Sequence, residues 1–124
     1  MSKVLCVGMS TRDHVVFVDR YPGANERVVA CRVKKLFWWT GFYCSRYFGS
    51  FRIPVAISCV IGDDEDGAAI LQMFSREGID TQHVVIDKTV RTATGTIVVS
   101  KSEQTRAIMV QPHSVRPSKP SQSR

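Results

Sequence analysis

A segment that demands burial on both faces, Val55-Ala56-Ile57-Ser58-Cys59-Val60-Ile61, ends on a glycine and two aspartates and passes at once into helical spacing. It lacks the in–out alternation of a strand with one wet face, so it predicts an interior strand of a covered sheet. Gly62-Asp63-Asp64 supplies a turn in which Asp63 or Asp64 caps the helix, and from Asp66 the residues Ala69, Ile70, Met73 and Phe74 keep to one helical face. Glu77-Gly78 then stops the helix. A strand–turn–helix unit of this kind confines the chain to α/β architectures.

Other segments supply further strands. Lys3–Gly8 reads as a buried strand ending at a glycine, and Val15–Val18 as a second, closed by the turn Asp19-Arg20-Tyr21-Pro22-Gly23. Arg27–Lys35, with Val28, Ala30 and Val33, predicts a partly exposed strand. Val84–Ile86, Thr94–Val99 and Ala107–Val110 predict three more, separated by polar turns. With 124 residues there is room for one domain, a parallel sheet with a small β-flap. Residues 113–124 are Ser, Pro and basic without apolar periodicity, which predicts a disordered basic tail.

The net charge of +6 would ordinarily point to an anionic partner. Its distribution argues otherwise. Setting aside residues 37–52 and 113–124, which contain no acid, leaves 12 basic and 11 acidic residues. The N-terminus is too brief in its apolar run for a signal peptide, and no stretch approaches a membrane span, so a cytoplasmic location is expected. Cys6, Cys31, Cys44 and Cys59 lie far apart, as expected of free or buried thiols. His14, His83 and His113 form no metal spacing with them, and Gly62–Gly67 lacks the alternating ligands of a calcium loop, so no metal site is expected. Neither G-x-x-x-x-G-K-[ST] nor G-x-G-x-x-G occurs.

Several motifs then stand in a fixed order. Strand Val4–Gly8 precedes Asp13 and the run from Val15 to Tyr21-Pro22. Ile53-Pro54-Val55-Ala56 leads through Val60-Ile61 to Gly62-Asp63-Asp64-Glu65-Asp66-Gly67. Glu77-Gly78-Ile79-Asp80-Thr81-Gln82-His83-Val84 follows, then Arg91–Thr96 and Thr105–Ile108. Over about residues 3–112 this order resembles the ribokinase-like (PfkB) carbohydrate kinases, whose members carry G-x-P-V-A…G-x-D-x-x-G and E-G-V-D-T-x-x-V in the matching places.

The family's Gly-Gly pair, which opens a helix of small residues before the Ile53-Pro54 strand, is missing. Its place is taken by Phe37–Arg52, which holds eight of the chain's eleven aromatic residues in sixteen positions. A compensated frame slip accounts for this. Trp has the single codon TGG, and dropping one base from TGG-TGG-ACN, the codons of Trp38-Trp39-Thr40, yields two glycine codons. Continued in that frame, the segment permits Gly-Gly-x-Ala-Ser-Thr-Ala-Ala and ends in Leu-Gly before Ile53. The rings as written are expected to overpack a helix–sheet contact built for Ala and Gly. Two other readings compete for these residues. One is a small basic nucleic-acid-binding module that stacks bases on Trp38 and Trp39 beside Arg46 and Arg52; the other is a membrane-surface helix, for which two arginines make a sparse polar face.

The resemblance implies a partial Rossmann-like ribokinase fold with a small β-lid, truncated. Residues 1–112 would form the substrate and lid part, with Val15–Val18, Arg27–Lys35, Thr94–Val99 and Ala107–Val110 as the lid strands. It implies ATP-dependent phosphoryl transfer to a sugar hydroxyl, on a sugar or sugar-phosphate substrate, with ATP and Mg2+ as cofactors of the intact member. Asp13 matches the loop aspartate that accepts sugar hydroxyls. The family's catalytic Gly-Ala-Gly-Asp turn has no counterpart in this sequence, so the chain as written is expected to bind no ATP and to be inactive alone; a sugar-sensing role without catalysis is a further possibility. Lids of this family pair between subunits, which implies a homodimer through the lid.

Overall fold

The computed structural model describes residues 4–39 and 42–112, apart from the side chains of Phe42, Tyr43, Cys44 and Arg46. Thr40, Gly41 and the basic tail expected over 113–124 lie outside the described residues.

The interior-strand reading holds, with one amendment. The run divides into β4 (Val55–Ser58) and β5 (Val60–Gly62), interrupted at Cys59. On one edge β4 pairs in parallel with β1 (Val4–Val7), Val4 opposite Val55. On the other edge β5 pairs in parallel with β6 (Val85–Asp87), and Ala56 bridges to Asp80. The break marks the hand-over between neighbours: the Ser58 carbonyl accepts Gly8 N–H at 3.0 Å, and the Cys59 carbonyl accepts Val85 N–H at 2.9 Å. β1 departs from the expected full burial, because among the described residues it has one strand neighbour, and Leu5 and Val7 are exposed while Cys6 faces in.

Helix α2 (Glu65–Arg76) follows β5 and buries Ile70, Met73 and Phe74. Its cap is Asp64, and the chain leaves it through Gly78 at φ 68°, a left-handed conformation suited to glycine. The core gathers Ile57, Cys59 and Ile61 from the sheet with Ile70, Met73 and Phe74 from the helix, closed by Ile79 and Trp39. Burial pushes the Cys59 thiol up from its ordinary pKa, opposed by the hydrogen bond from the Ser10 hydroxyl at 3.4 Å.

A second sheet has the order β3-β2-β7-β8, comprising β2 (Ser10–Val18), β3 (Arg32–Trp39), β7 (Thr94–Ser100) and β8 (Thr105–Gln111). These are the four strands expected of the flap. β2 and β7 run parallel in the middle, with antiparallel β3 and β8 at the edges. The turn after β2 is held by Arg20 and Glu26, whose ion pair, with the Gly23 N–H, brings the Glu26 carboxyl down to about 2.

Two expectations are corrected by β3. The strand predicted over Arg27–Lys35 begins instead at Arg32, where pairing with Phe17 starts, and residues 27–31 only approach it. It continues to Trp39 because Phe37-Trp38-Trp39 are strong strand formers that extend the ladder to Ser10. The overpacking expected of these rings does not occur at Trp39, which is 4% exposed and meets Phe74 edge to face at 5.5 Å. Ending a strand rather than lying in a helix, it fills the space between the flap and α2. Trp38, Tyr47 and Phe51 remain exposed, the last two on and after helix α1 (Phe42–Ser50).

Candidate functional site

Asp13 does not lie in a loop. It sits in the middle of β2, flanked by Leu36 of β3 and Gly95 of β7, with Val110 of β8 beyond. These four residues form one row across the sheet, on one face. The next row on that face is Lys34, Val15, Ile97 and Ile108, so the Asp13 carboxylate stands in largely apolar surroundings rimmed by half-exposed Leu36 and Val110.

Gly95 makes the placement of the carboxylate possible. A Cβ at that position would lie 2.5 Å from Asp13 Oδ1, closer than any side chain tolerates. Thr11, two residues earlier and therefore on the same face, donates its hydroxyl to Oδ1 at 2.8 Å. Oδ2 accepts no hydrogen bond from the described residues. A carboxyl group with one oxygen open and an apolar rim suits a polyol, taking a hydroxyl in a hydrogen bond while the rim covers C–H surface. Arg12, one residue over, belongs to the opposite face, where its guanidinium lies 4.2 Å from the centre of the Phe37 ring.

A polar knot sets the register of this site. Asp64 accepts the Gly67 N–H at 2.8 Å, the Thr92 N–H at 2.9 Å and the Thr92 hydroxyl at 2.6 Å. Thr92 in turn accepts the Gly62 N–H at 2.9 Å. The next residue, buried Ala93, accepts the Arg12 N–H at 3.1 Å, so the start of α2 is tied to the start of β7 and β7 to β2. That tie places Gly95 beneath Asp13. The acidic turn is thus a cap and an anchor, and among the described residues no three of His, Cys, Asp and Glu gather into a metal-holding group.

Burial by itself would raise the Asp64 carboxyl, but the hydrogen bonds from Thr92 and Gly67, aided by the Arg91 charge, hold it below its ordinary 3.8. A carboxyl depressed in the folded state contributes stability above its unfolded pKa and loses it as pH falls through the folded value. Urea denaturation midpoints are therefore expected to hold steady near neutrality and to fall below pH 3.8. Asp64→Asn should flatten that fall, and Asp64→Ala should in addition cost about 1 kcal/mol near neutral pH, the usual worth of a helix cap. An unchanged acid profile in Asp64→Asn would remove this role.

A cavity of 610 Å3 opens elsewhere, lined by Ser45, Arg52, Ile53, Pro54, Glu77 and Ile79 at the N-terminal end of β4, and does not include Asp13. The stacking-platform reading of residues 37–52 loses Trp39 to the core. Sequence reasoning singled out Asp13 but missed Thr11, Gly95 and Thr92. Two of these had a signal: Thr-x-Asp spacing puts both side chains on one strand face, and a glycine inside a β-branched strand marks a close approach. Thr92 had none, since its partner lies far away in sequence.

A family model described as pfkB family carbohydrate kinase matches residues 1–123. Over 50 residues, 40% of the chain, the sequence is 40% identical to the bifunctional protein HldE of Pelobacter propionicus, of which that stretch is 10%. The fold superposes on ribokinase from Giardia lamblia with a TM-score of 0.79 at 19% identity, covering 90% of this chain and 36% of that one. Ribokinase from Arabidopsis thaliana, complexed with ribose and ATP, gives a TM-score of 0.73 at 19% identity, covering 92% and 37%. The chain thus spans little more than a third of these solved structures and a tenth of HldE.

Proposed function

The chain belongs to the pfkB family of carbohydrate kinases, and we propose that it forms the sugar-holding part of such a kinase, with Asp13 as the acceptor for a substrate hydroxyl. The observation that carries this reading is the Asp13 carboxylate, fixed by Thr11 over bare Gly95 on an apolar-rimmed sheet face. The sheet β3-β2-β7-β8 acts as a lid that closes on the sugar and excludes water. The substrate is a sugar or sugar phosphate, and the location is the cytoplasm.

ATP is the phosphoryl donor of the intact kinase, with Mg2+. The sequence has no Gly-Ala-Gly-Asp turn, so none of its residues is given the task of holding that group. No step of phosphoryl transfer is assigned to them, and on this reading the chain by itself is inactive. The lid also pairs with a second copy, a reading supported by β8, exposed at all seven positions, and by its outer edge, which no strand of the described residues pairs. The frame slip over 37–52 belongs to the same proposal, resting on the Trp38-Trp39 pair standing where the family carries Gly-Gly.

The test is a titration of the full chain with D-ribose, followed by backbone amide NMR. Shifts are expected around Asp13, Thr11 and Gly95, and Asp13→Ala should weaken binding at least about tenfold, the cost of one charge-assisted hydrogen bond. If ribose and other pentoses and hexoses leave those amides unmoved at high millimolar concentration, the sugar-holding role is wrong.

A further inference from the structure

We propose that the face of the lid sheet opposite Asp13 carries an anion site, built by Arg12, His14 and Lys35, that takes the phosphate group of a small phosphomonoester or of inorganic phosphate. It stands back to back with Asp13 through one strand and does not rest on the sugar-holding reading.

Side chains alternate along β2, so Arg12 and His14 share the face that Asp13 leaves. Arg12 lies between Phe37 and Thr94, and His14, in the next row, lies between Lys35 and Thr96. The β8 neighbours of these rows, Gln111 and Met109, are uncharged. Three basic side chains therefore stand on two adjacent rows with no acid among them. Among the described residues, none of the three forms an ion pair or a side-chain hydrogen bond.

Arg12 is the centre of the site. Its guanidinium lies 4.2 Å from the centre of the Phe37 ring, and Phe37 itself packs against the core, so the group is held in place. Nε is buried and has no hydrogen-bond partner. The carboxylates of Asp64 and Asp66 lie toward the β8 side of its row, sharing a cavity with Thr94 and Gln111, and neither pairs with it. A guanidinium that is stacked, half-buried and unpaired lacks the acceptor that ordinarily accompanies such burial. An anion on its Nη groups supplies that acceptor, and the attraction is strengthened because less water screens it.

A tetrahedral dianion fits better than a carboxylate. The planar Nη fork takes two oxygens, which uses up a carboxylate. A phosphate keeps oxygens for His14 and Lys35, whose row lies about 7 Å further along the strand, within reach of these long side chains.

The test is a titration of the full chain with inorganic phosphate, read by NMR at the Arg12 Nε–H and at the His14 and Lys35 amides. All three signals should move along one curve that saturates at low millimolar phosphate. Arg12→Lys keeps the charge and loses the planar fork, whereas Lys35→Gln removes one charged donor at an exposed position and leaves the fold intact. Each should weaken binding about tenfold, the worth of one charge-assisted hydrogen bond. D-ribose 5-phosphate separates the sources: tighter binding than inorganic phosphate assigns the site to a phosphorylated small molecule, and equal or weaker binding assigns it to the free anion. Chloride at matched ionic strength should leave the signals in place. Shifts that chloride reproduces, that never saturate, or that keep the parent affinity in both variants overturn the proposal.

Discussion

Gly67→Ala is expected to lower the unfolding free energy by about 3 kcal/mol, the upper part of the range for forcing atoms into filled space. The added Cβ would lie 2.2 Å from the Gly62 carbonyl oxygen, 2.9 Å from Thr92 Oγ1 and 3.2 Å from Asp64 Oδ1. The first contact is backbone and cannot rotate away. Relief requires the first turn of α2 to move, which strains the Gly67–Asp64 cap and the tie to Thr92. The control is Gly49→Ala in α1, where the new methyl meets nothing within 4 Å. That substitution should add up to about 1 kcal/mol by restricting the unfolded chain. Urea denaturation of both variants checks the pair, and equal midpoints would show that the close approach of α2 to Gly62 is not rigid.

Phe74→Ala is expected to cost about 4 kcal/mol, within the range for truncating a buried ring. Phe74 is fully buried at the centre of the core, where α2 meets β4, β5 and the end of β3. Its loss also removes the edge-to-face contact with Trp39, which binds the lid strand to the helix. Phe74→Leu should cost far less, about 1 kcal/mol, because most of the volume is kept. Denaturation measures the loss, and fluorescence locates it: the Trp39 emission should move to the red in Phe74→Ala, with Trp39→Phe identifying the signal against Trp38. A loss under about 1 kcal/mol for Phe74→Ala would mean that the core is loosely held.

The architecture was legible wherever one physical signal dominated. The apolar run 55–61 and the spacing Ala69, Ile70, Met73, Phe74 each announce their burial, and Asp64 and Gly78 punctuate the helix by local chemistry. The start of β3 was not legible, because Val28 and Ala30 imitate an alternation that the chain does not use, and the pairing with Phe17 that decides it is a tertiary event. The aromatic cluster misled for a related reason. Ring size argues against a helix–sheet contact only if the ring is in the helix, and Trp39 is in a strand. At the site, Asp13 stood out through family resemblance. Its Thr11 partner follows from strand periodicity alone, but only once Ser10–Arg12 is known to be strand.

β2 and β7 are parallel neighbours, and the segment between them contains every element from β3 through β6. Parallel neighbours cannot be joined by a tight turn, so Asp13 and Gly95 meet only after a long closure whose entropy the intervening core must offset. A lesion far from the carboxylate, in α2 or β4, is therefore expected to loosen the Asp13–Gly95 approach before the local hairpins β2–β3 and β7–β8 are lost.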